Sequence, residues 1–361
     1  MTKRREKGDG SIYQRSNGRY VGEYTDTNGK RRYLSGKNRA DVKAKLKEAL
    51  KHKDEGVSFD AGTLTFGEYM DKWLESTKET VRPRTWARAE VDVRVHLKPV
   101  LGEVKLSRIN ALRLQNLYNQ KLSAGLSPRS VQLIHAAAHK ALKQAVAWSL
   151  IPRNVAESVN PPKPSKREIH ALSLDQIRNL LEVARGDKLE ALYVLACTTG
   201  MRQGELIGLQ WRDINFEDST LKVNRSVYNG AVTPPKTMAG RRTIRLSKLA
   251  VVALQAHRMR QAQQRIAEWV FRTSVGTPLS CHNLHNRSWK PLLKKAGLPH
   301  STRFHDLRHS CISLLLSKGV PIKVVSEMAG HSDVSITLSV YGHVLPDMQN
   351  LASDGMDEAL G

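Results

Sequence analysis

The stretch "HDLRHS", residues 305–310, decides how the rest of the chain is read. Its two histidines, His305 and His309, stand four apart, which on a helix puts both on one face, the spacing of a helical metal site. His305 and Arg308 stand one turn apart as well. The stretch therefore poses a choice between a metal site and a pairing of His305 with Arg308 for a different chemistry.

Composition bears on that choice. The 361 residues carry 58 Lys and Arg against 34 Asp and Glu, a formal charge of +24, and 40% of them are hydrophobic, enough for two or three domains with cores of their own. So large a basic excess favours a polyanionic partner, because each neutralised phosphate releases counterions. Nucleic acid leads, with a ribosome-associated or merely basic surface as the bland reading. Three cysteines, Cys197, Cys281 and Cys311, with no C-x-x-C spacing, point to a reduced, cytoplasmic setting without a disulfide framework. No apolar run reaches the eighteen or so residues of a membrane span, and none follows the basic N-terminus as a signal core, so no membrane partner is expected.

The predicted fold class is mainly α and multidomain. In residues 1–56, strands at Ser11 to Arg15, Tyr20 to Thr25 and Arg31 to Ser35 are joined by the turn dipeptides Asn17-Gly18 and Asn28-Gly29, and a helix follows from about Arg39 to Lys53. The first fifty residues hold 14 Lys and Arg against 6 Asp and Glu. A small basic three-stranded sheet of this kind can lay a face into a DNA major groove, with Tyr13, Arg15, Tyr20, Tyr24, Arg31 and Arg32 as candidate contacts. The bland alternative is a solvated sheet.

Residues 63–159 read as a helical domain from apolar spacing at Phe66, Met70, Trp73 and Leu74, then Trp86, Val93 and Leu97, then Leu114, Leu117 and Tyr118. Its second helix should begin near Pro83, gathering Arg82, Arg84, Thr85 and Arg88 where side chains and helix dipole can grip phosphate together. A later helix should open with Ser127 as N-cap and Pro128 in its first position, with Arg129 and Lys140 as further phosphate contacts. Residues 160–172, rich in proline and charge, read as a linker. Residues 173–345 form a mixed α/β domain in which Leu221 to Val227 and Arg242 to Leu246 can pair, leaving Lys236 in the connecting loop. The tail, 346–361, has four acidic and no basic residues and should meet protein sooner than DNA.

Three stretches of the last domain belong together: "TTGMRQGEL" at 198–206, "HDLRHS", and "AGHSDVSITLSVYGH" at 329–343. Arg202 followed by Gly204 and Glu205, His305 and Arg308 as H-x-x-R, Gly330-His331, and Tyr341 ten residues after His331 make the chain resemble the tyrosine recombinases, the phage integrase family. Lys236 in "PPKTMAGRRTIRL" completes the set. The likeness is specific from about Ala196 to Val344; upstream it is one of layout, and the extra N-terminal sheet favours an integrase over the chromosome-dimer resolvases.

The resemblance implies a site-specific recombinase whose tyrosine attacks a DNA phosphodiester, giving a 3′-phosphotyrosine link and a free 5′-hydroxyl. That link preserves the bond energy for religation, so neither ATP nor any other cofactor is required. It also implies core and arm attachment sites on double-stranded DNA, four protomers acting through a Holliday junction, an excisionase or other directionality factor, and a host DNA-bending protein. A phenol with a pKa of about 10 is ionised in only about one molecule in a thousand at pH 7, so Tyr341 needs activation. Arg202 and Arg308 can hold the transition-state charge, His305 can take the phenolic proton or orient the phosphate, His331 can donate to a phosphate oxygen, and Lys236 is the natural general acid for the leaving oxygen. Glu205 should orient Arg202, and His309 should be a packing or supporting residue.

Taken singly, each of these residues has a duller reading as a surface charge, cap or packing residue; their joint order shifts the balance. Cys281, His282 and His285 lack a fourth ligand at zinc spacing, and no metal is expected there. Two alternatives to integration carry over: a topoisomerase-like relaxing enzyme of type IB, which shares the chemistry, and a noncatalytic DNA-binding regulator on the same fold, which would have no need of a nucleophile.

Overall fold

The structure, a computed structural model, describes residues 10–26, 29–54, 64–164, 170–228, 230–234, 240–262, 268–342, 353 and 356–360. It divides into two compact units, Met1–Lys166 and Arg167–Gly361. Among the described residues no helix is long and apolar enough to cross a membrane.

The first unit opens with an antiparallel sheet, β1 (Ser11–Gln14), β2 (Tyr20–Thr25) and β3 (Arg31–Gly36), in the order β1-β2-β3, backed by α1 (Arg39–Asp54). Gly18 takes the positive φ, +78°, that the first tight turn needs. At Gly22 a Cβ would stand 3.0 Å from Val42 Cγ1, so the missing side chain is what lets α1 close on the sheet.

Strand alternation then assigns faces. Tyr20, Gly22 and Tyr24 share the face under α1, while the register aligns Tyr13 with Val21 and Glu23 with Tyr33 on the other. Tyr24 is 4% exposed, as buried as Val42 and Leu46 of α1, which corrects its assignment as a DNA contact: the period of two turns it toward the core. Arg32 lies on the same face and bonds Asp26 through Nε at 2.8 Å. Tyr13 (40% exposed) and Arg31 do lie on the open face, joined by Tyr33 (51% exposed), which the sequence reading omitted.

The helical part runs α2 (Phe66–Thr77), α3 (Pro83–Val91), a π-helical turn (Asp92–Leu97), α4 (Lys98–Leu101), α5 (Ala111–Ser123) and α6 (Pro128–Ala147). Local signals place the helix starts. Thr65 and Glu68 form a capping box on α2, Asn110 caps α5, and Ser127 caps α6 with Pro128 in its first turn. Phe66, Tyr69, Met70, Leu97, Leu114, Tyr118, Ile134 and Leu142 fill the core.

The second unit contains, in chain order, α7 (Leu174–Val183), α8 (Glu190–Thr199), α9 (Gln203–Ile207), β4 (Ile214–Asn215), β5 (Thr220–Val223), β6 (Ser226–Tyr228), β7 (Ala231–Thr233), β8 (Arg242–Arg245), α10 (Lys248–Ala262), α11 (Cys281–Leu284), α12 (Lys290–Lys295), α13 (Asp306–Ser317), α14 (Ile322–Ala329) and α15 (Val334–Tyr341). Helix α8 is apolar on all sides because it runs through the core, packed among Trp289, Phe271, Leu293 and Leu307. A second cluster of Ile312, Leu316, Val325 and Ala329 holds α13 and α14 together and receives Tyr341.

The expected pairing of Leu221 to Val227 with Arg242 to Leu246 is only half observed. β5 pairs with β8, Leu221 opposite Ile244, but the ladder stops at Val223 and β6 turns away to pair with β7. Buried Asp213 causes the break: it takes Asn224 Nδ2 at 2.8 Å and forms an ion pair with Arg225, drawing both residues out of the strand. Lys236 falls at 235–239, outside the described residues.

Candidate active site

Three chain reversals build the site. The first ends α8 at Gly200, whose φ of +61° is the left-handed conformation glycine adopts without a Cβ clash. Its carbonyl accepts a hydrogen bond from Arg308 Nη1 at 2.7 Å, across 108 residues of sequence. The second reversal starts α9, where Arg202 is the N-cap and Glu205 reaches back to it, Oε2 accepting from Arg202 N at 3.0 Å and Oε1 from Nη1 at 3.0 Å. Gly204 permits the close packing there, since a Cβ would lie 2.4 Å from Ser226 Oγ.

The third reversal ends α14. Gly330, at φ +69°, donates its N–H to Glu327 O and His331 donates its own to Ser326 O, the paired bonds of a Schellman cap. This cap fixes two things together. The Gly330 carbonyl accepts from Arg202 Nη2 at 3.1 Å, and the His331 ring is held by a 2.7 Å bond between Nδ1 and Thr337 Oγ1.

Arg202, His305, His331 and Tyr341 all lie near enough to Arg308 for their charges to interact with it, and Glu205 pairs with Arg202. Burial and the guanidiniums of Arg308, Arg202 and Arg242 push His331 down to about 4, so it is neutral at pH 7. His305 is exposed by surface area, yet partial desolvation, then the charges of His309, Arg308, Arg303 and Arg202, push it down to about 4 as well. Arg308 is 3% exposed and its Nη2 is buried without a hydrogen-bond partner among the described residues. Burial and then Arg202 push it down to about 10, still a cation at neutral pH. A buried, incompletely bonded guanidinium is costly unless an anion completes it.

Arg242 is a residue the sequence reading passed over. Its side chain is 7% exposed; Nη2 donates to Glu205 Oε2 at 2.9 Å and Nε to the Met328 carbonyl at 2.5 Å, tying β8 to α9 and α14. The period of two could have found it, because Arg242 shares the inward face of β8 with buried Ile244. Glu205 is thus the shared counter-ion of two arginines. Burial alone would raise its carboxyl, but Arg242 and Arg202 outweigh that and hold it below the usual carboxylate range.

Removing that charge has a defined consequence. Glu205→Gln leaves two guanidiniums without their anion and should destabilise the protein by about 3–5 kcal/mol, the range for breaking a buried ion pair by deleting one partner. Because the folded carboxyl titrates below its unfolded value of about 4.3, the stabilisation is present above that pH and lost as pH falls through the folded value. Denaturant midpoints of wild type and variant should therefore differ at pH 7 and converge under acid conditions.

Tyr341 closes α15, 2% exposed, its ring in the apolar cluster. Burial pushes the phenol up to about 12 despite the pull of Arg308. Its hydroxyl lies 2.5 Å from His309 Nδ1, and His305 stands edge-on to the His309 ring at a centroid distance of 4.9 Å. The phenol's partner is therefore His309, expected from sequence to be a packing or supporting residue, and not His305, expected to take the phenolic proton or orient the phosphate. The i, i+4 spacing that first looked metal-like was the available signal. At the other candidate cluster, His282 Nε2 lies 3.0 Å from Asn286 Nδ2.

In the first unit, Arg82, Arg84, Thr85 and Arg88 are exposed around the start of α3, though Arg88 also pairs with buried Asp92 at 2.8 Å. Arg129, in the first turn of α6, and Lys140 are exposed; Arg129 Nη1 donates to Gln132 Oε1. Arg15 is exposed after β1 and Tyr20 is half-buried.

Residues 170–348 match the model of the phage integrase family, and residues 65–122 match the phage integrase N-terminal SAM-like domain. A XerC-like tyrosine recombinase of Caldanaerobacter subterraneus subsp. tengcongensis is 30% identical, covering 92% of this chain and 93% of its own. An integrase of Streptomyces ambofaciens is 32% identical, covering 94% of each. In fold, the chain is similar to the Tn1549 transposon integrase in complex with a circular intermediate DNA, with a TM-score of 0.70, 21% identity, and coverage of 81% of this chain and 100% of that one. With the arginines, histidines and tyrosine of the site in place, the chain belongs to the phage integrase family, the tyrosine-type site-specific recombinases that cut and rejoin DNA.

Proposed function

We propose that the protein integrates or excises a mobile DNA element by cleaving one strand at a time with Tyr341. The observation that carries this reading is Arg308: a buried cation whose Nη2 has no hydrogen-bond partner among the described residues, near enough to Arg202 and Tyr341 for their charges to act on it. A phosphodiester is the anion that would complete it. Arg202 and Arg308 then hold the nonbridging oxygens as negative charge gathers on them, and neutral His331 donates a further hydrogen bond. His305, at the rim of the pocket, orients the phosphate. Lys236 is assigned the protonation of the leaving 5′-oxygen.

The basic open face of the N-terminal sheet is assigned to arm sites, through Tyr13, Arg15, Arg31 and Tyr33, and the arginine-rich start of α3, with Arg129 and Lys140 of α6, to the core site. Strand exchange between two duplexes requires a nucleophile for each of four strands, so the working assembly is a homotetramer on DNA. A directionality factor and a host bending protein would select between integration and excision.

A nicked suicide duplex carrying the cognate core site tests the reading. Wild-type protein should trap a covalent adduct on it, with equal yield in EDTA, because two guanidiniums and a lysine do the work a metal would otherwise do. No adduct on the true site, or strict dependence on a divalent metal, defeats it.

A further inference from the structure

The contact between His309 and Tyr341 assigns a role that the H-x-x-R motif does not. Resting on the reading of Tyr341 as nucleophile, we infer that His309 is the group that accepts the phenolic proton during strand cleavage and returns it during religation. The atom that must lose a proton, Tyr341 Oη, lies 2.5 Å from His309 Nδ1, within the reach a general base requires. The two rings sit 5.7 Å apart, tilted at 46°, on helices α13 and α15 that share one apolar cluster, so the pair is held by packing on both sides. His305, the more exposed of the two, meets His309 in a T-shaped arrangement with an interplanar angle of 87°. It buttresses the imidazole and makes no hydrogen bond to the phenol among the described residues.

The charge environment suits a proton acceptor. Burial, with Arg303 and Arg308, lowers the His309 pKa, leaving Nδ1 a free lone pair at neutral pH in the Nε2–H tautomer. Asp306, one turn back on α13, opposes that trend and would stabilise the imidazolium once formed. Asp306 is held in place by Arg303, whose backbone N–H donates to Oδ2 at 2.7 Å and whose Nη2 donates to Oδ1 at 2.7 Å. From α15 the group that faces His309 is the phenol itself.

The step balances without a further reactant. Tyr341 Oη forms its bond to phosphorus as its proton passes to His309 Nδ1. The bond from phosphorus to the 5′-oxygen breaks, and the general acid assigned to Lys236 protonates that oxygen. In religation the 5′-hydroxyl attacks phosphorus, the bond to Oη breaks, and the imidazolium returns the proton to the phenol.

Single-turnover cleavage of the nicked suicide duplex tests this with wild type, His309→Ala and His309→Asn, each on the ordinary substrate and on one with sulfur replacing the 5′-bridging oxygen. Asparagine places an amide oxygen near the position of Nδ1, so it can hold the phenol but cannot take its proton. Both variants should bind core-site DNA normally and cleave about 10²-fold more slowly, the lower end of the contribution of a general base. Neither should be rescued by the sulfur substrate, whose leaving group needs no acid. Wild-type rates in either variant overturn the inference; a normal rate in His309→Asn alone reduces His309 to a positioning residue. Rescue by sulfur also overturns it, by moving His309 to the leaving-group side. If His309→Ala does not fold, His309→Asn still decides. Failure of wild type to form any adduct would instead defeat the reading of Tyr341 as nucleophile, a separate outcome.

Discussion

Tyr341→Phe should bind its core site as tightly as wild type and form no covalent adduct on a nicked duplex, with a loss of cleavage limited only by the sensitivity of the gel. The substitution removes one oxygen from a side chain that is 2% exposed and otherwise packed against Ile312, Leu316, Val325 and Ala329. The ring and its burial survive. The structural cost is one hydrogen bond, about 1 kcal/mol, borne by His309. A fold that tolerates the change together with chemistry that does not is the signature of a nucleophile. Residual adduct at a neighbouring residue would sink the assignment. Because burial pushes the phenol up to about 12, roughly one molecule in 10⁵ is ionised at pH 7, so cleavage needs a proton acceptor more than an unstrained phenol would.

Arg308→Ala should lower the single-turnover cleavage rate by about 10²- to 10³-fold, the cost of removing one preorganised donor from a developing oxyanion. Binding to the core site should weaken far less, since affinity is spread over many phosphate contacts. Arg308→Lys sharpens the test. A lysine keeps the charge but gathers its donors on one nitrogen, so it cannot reproduce the planar fork in which Nη1 meets the Gly200 carbonyl while Nη2 stands apart for the phosphate. Its rate should fall by at least about tenfold even though net charge is unchanged. A lysine variant with wild-type rate would mean that the buried Nη2 does not meet the transition state.

Much of the architecture follows from short-range chemistry and is readable for that reason. Ser127 with Pro128, and Asn17 with Gly18, act within four residues of themselves, so the helix start and the turn they set require no knowledge of distant segments. The failures share the opposite property. The strand expected to run through Val227 stops at Val223 because Asp213, outside the hairpin, draws Asn224 and Arg225 away. Tyr24 counted as a DNA contact only while its residue type was weighed without the face on which β2 places it.

The site divides the same way. The sequence by itself determined which residue types the chemistry has and in what order: Arg202, the H-x-x-R of His305 and Arg308, His331 and Tyr341, along with the glycines at 200 and 330 that turn the backbone beside them. Order along the chain identifies a family because the reaction demands that combination of cations, imidazoles and phenol. Only the tertiary structure decided which side chain touches which. Arg242 serves Glu205 across 37 residues, Arg202 meets the Gly330 carbonyl across 128, and the phenol lies against His309 across 32 while the motif histidine His305 stands beside it. The physical reason is that a hydrogen bond is decided within a few tenths of an ångström, by the packing of α13 against α14 and α15. Sequence spacing places a residue on a face of a helix; it does not place the face of the helix it meets.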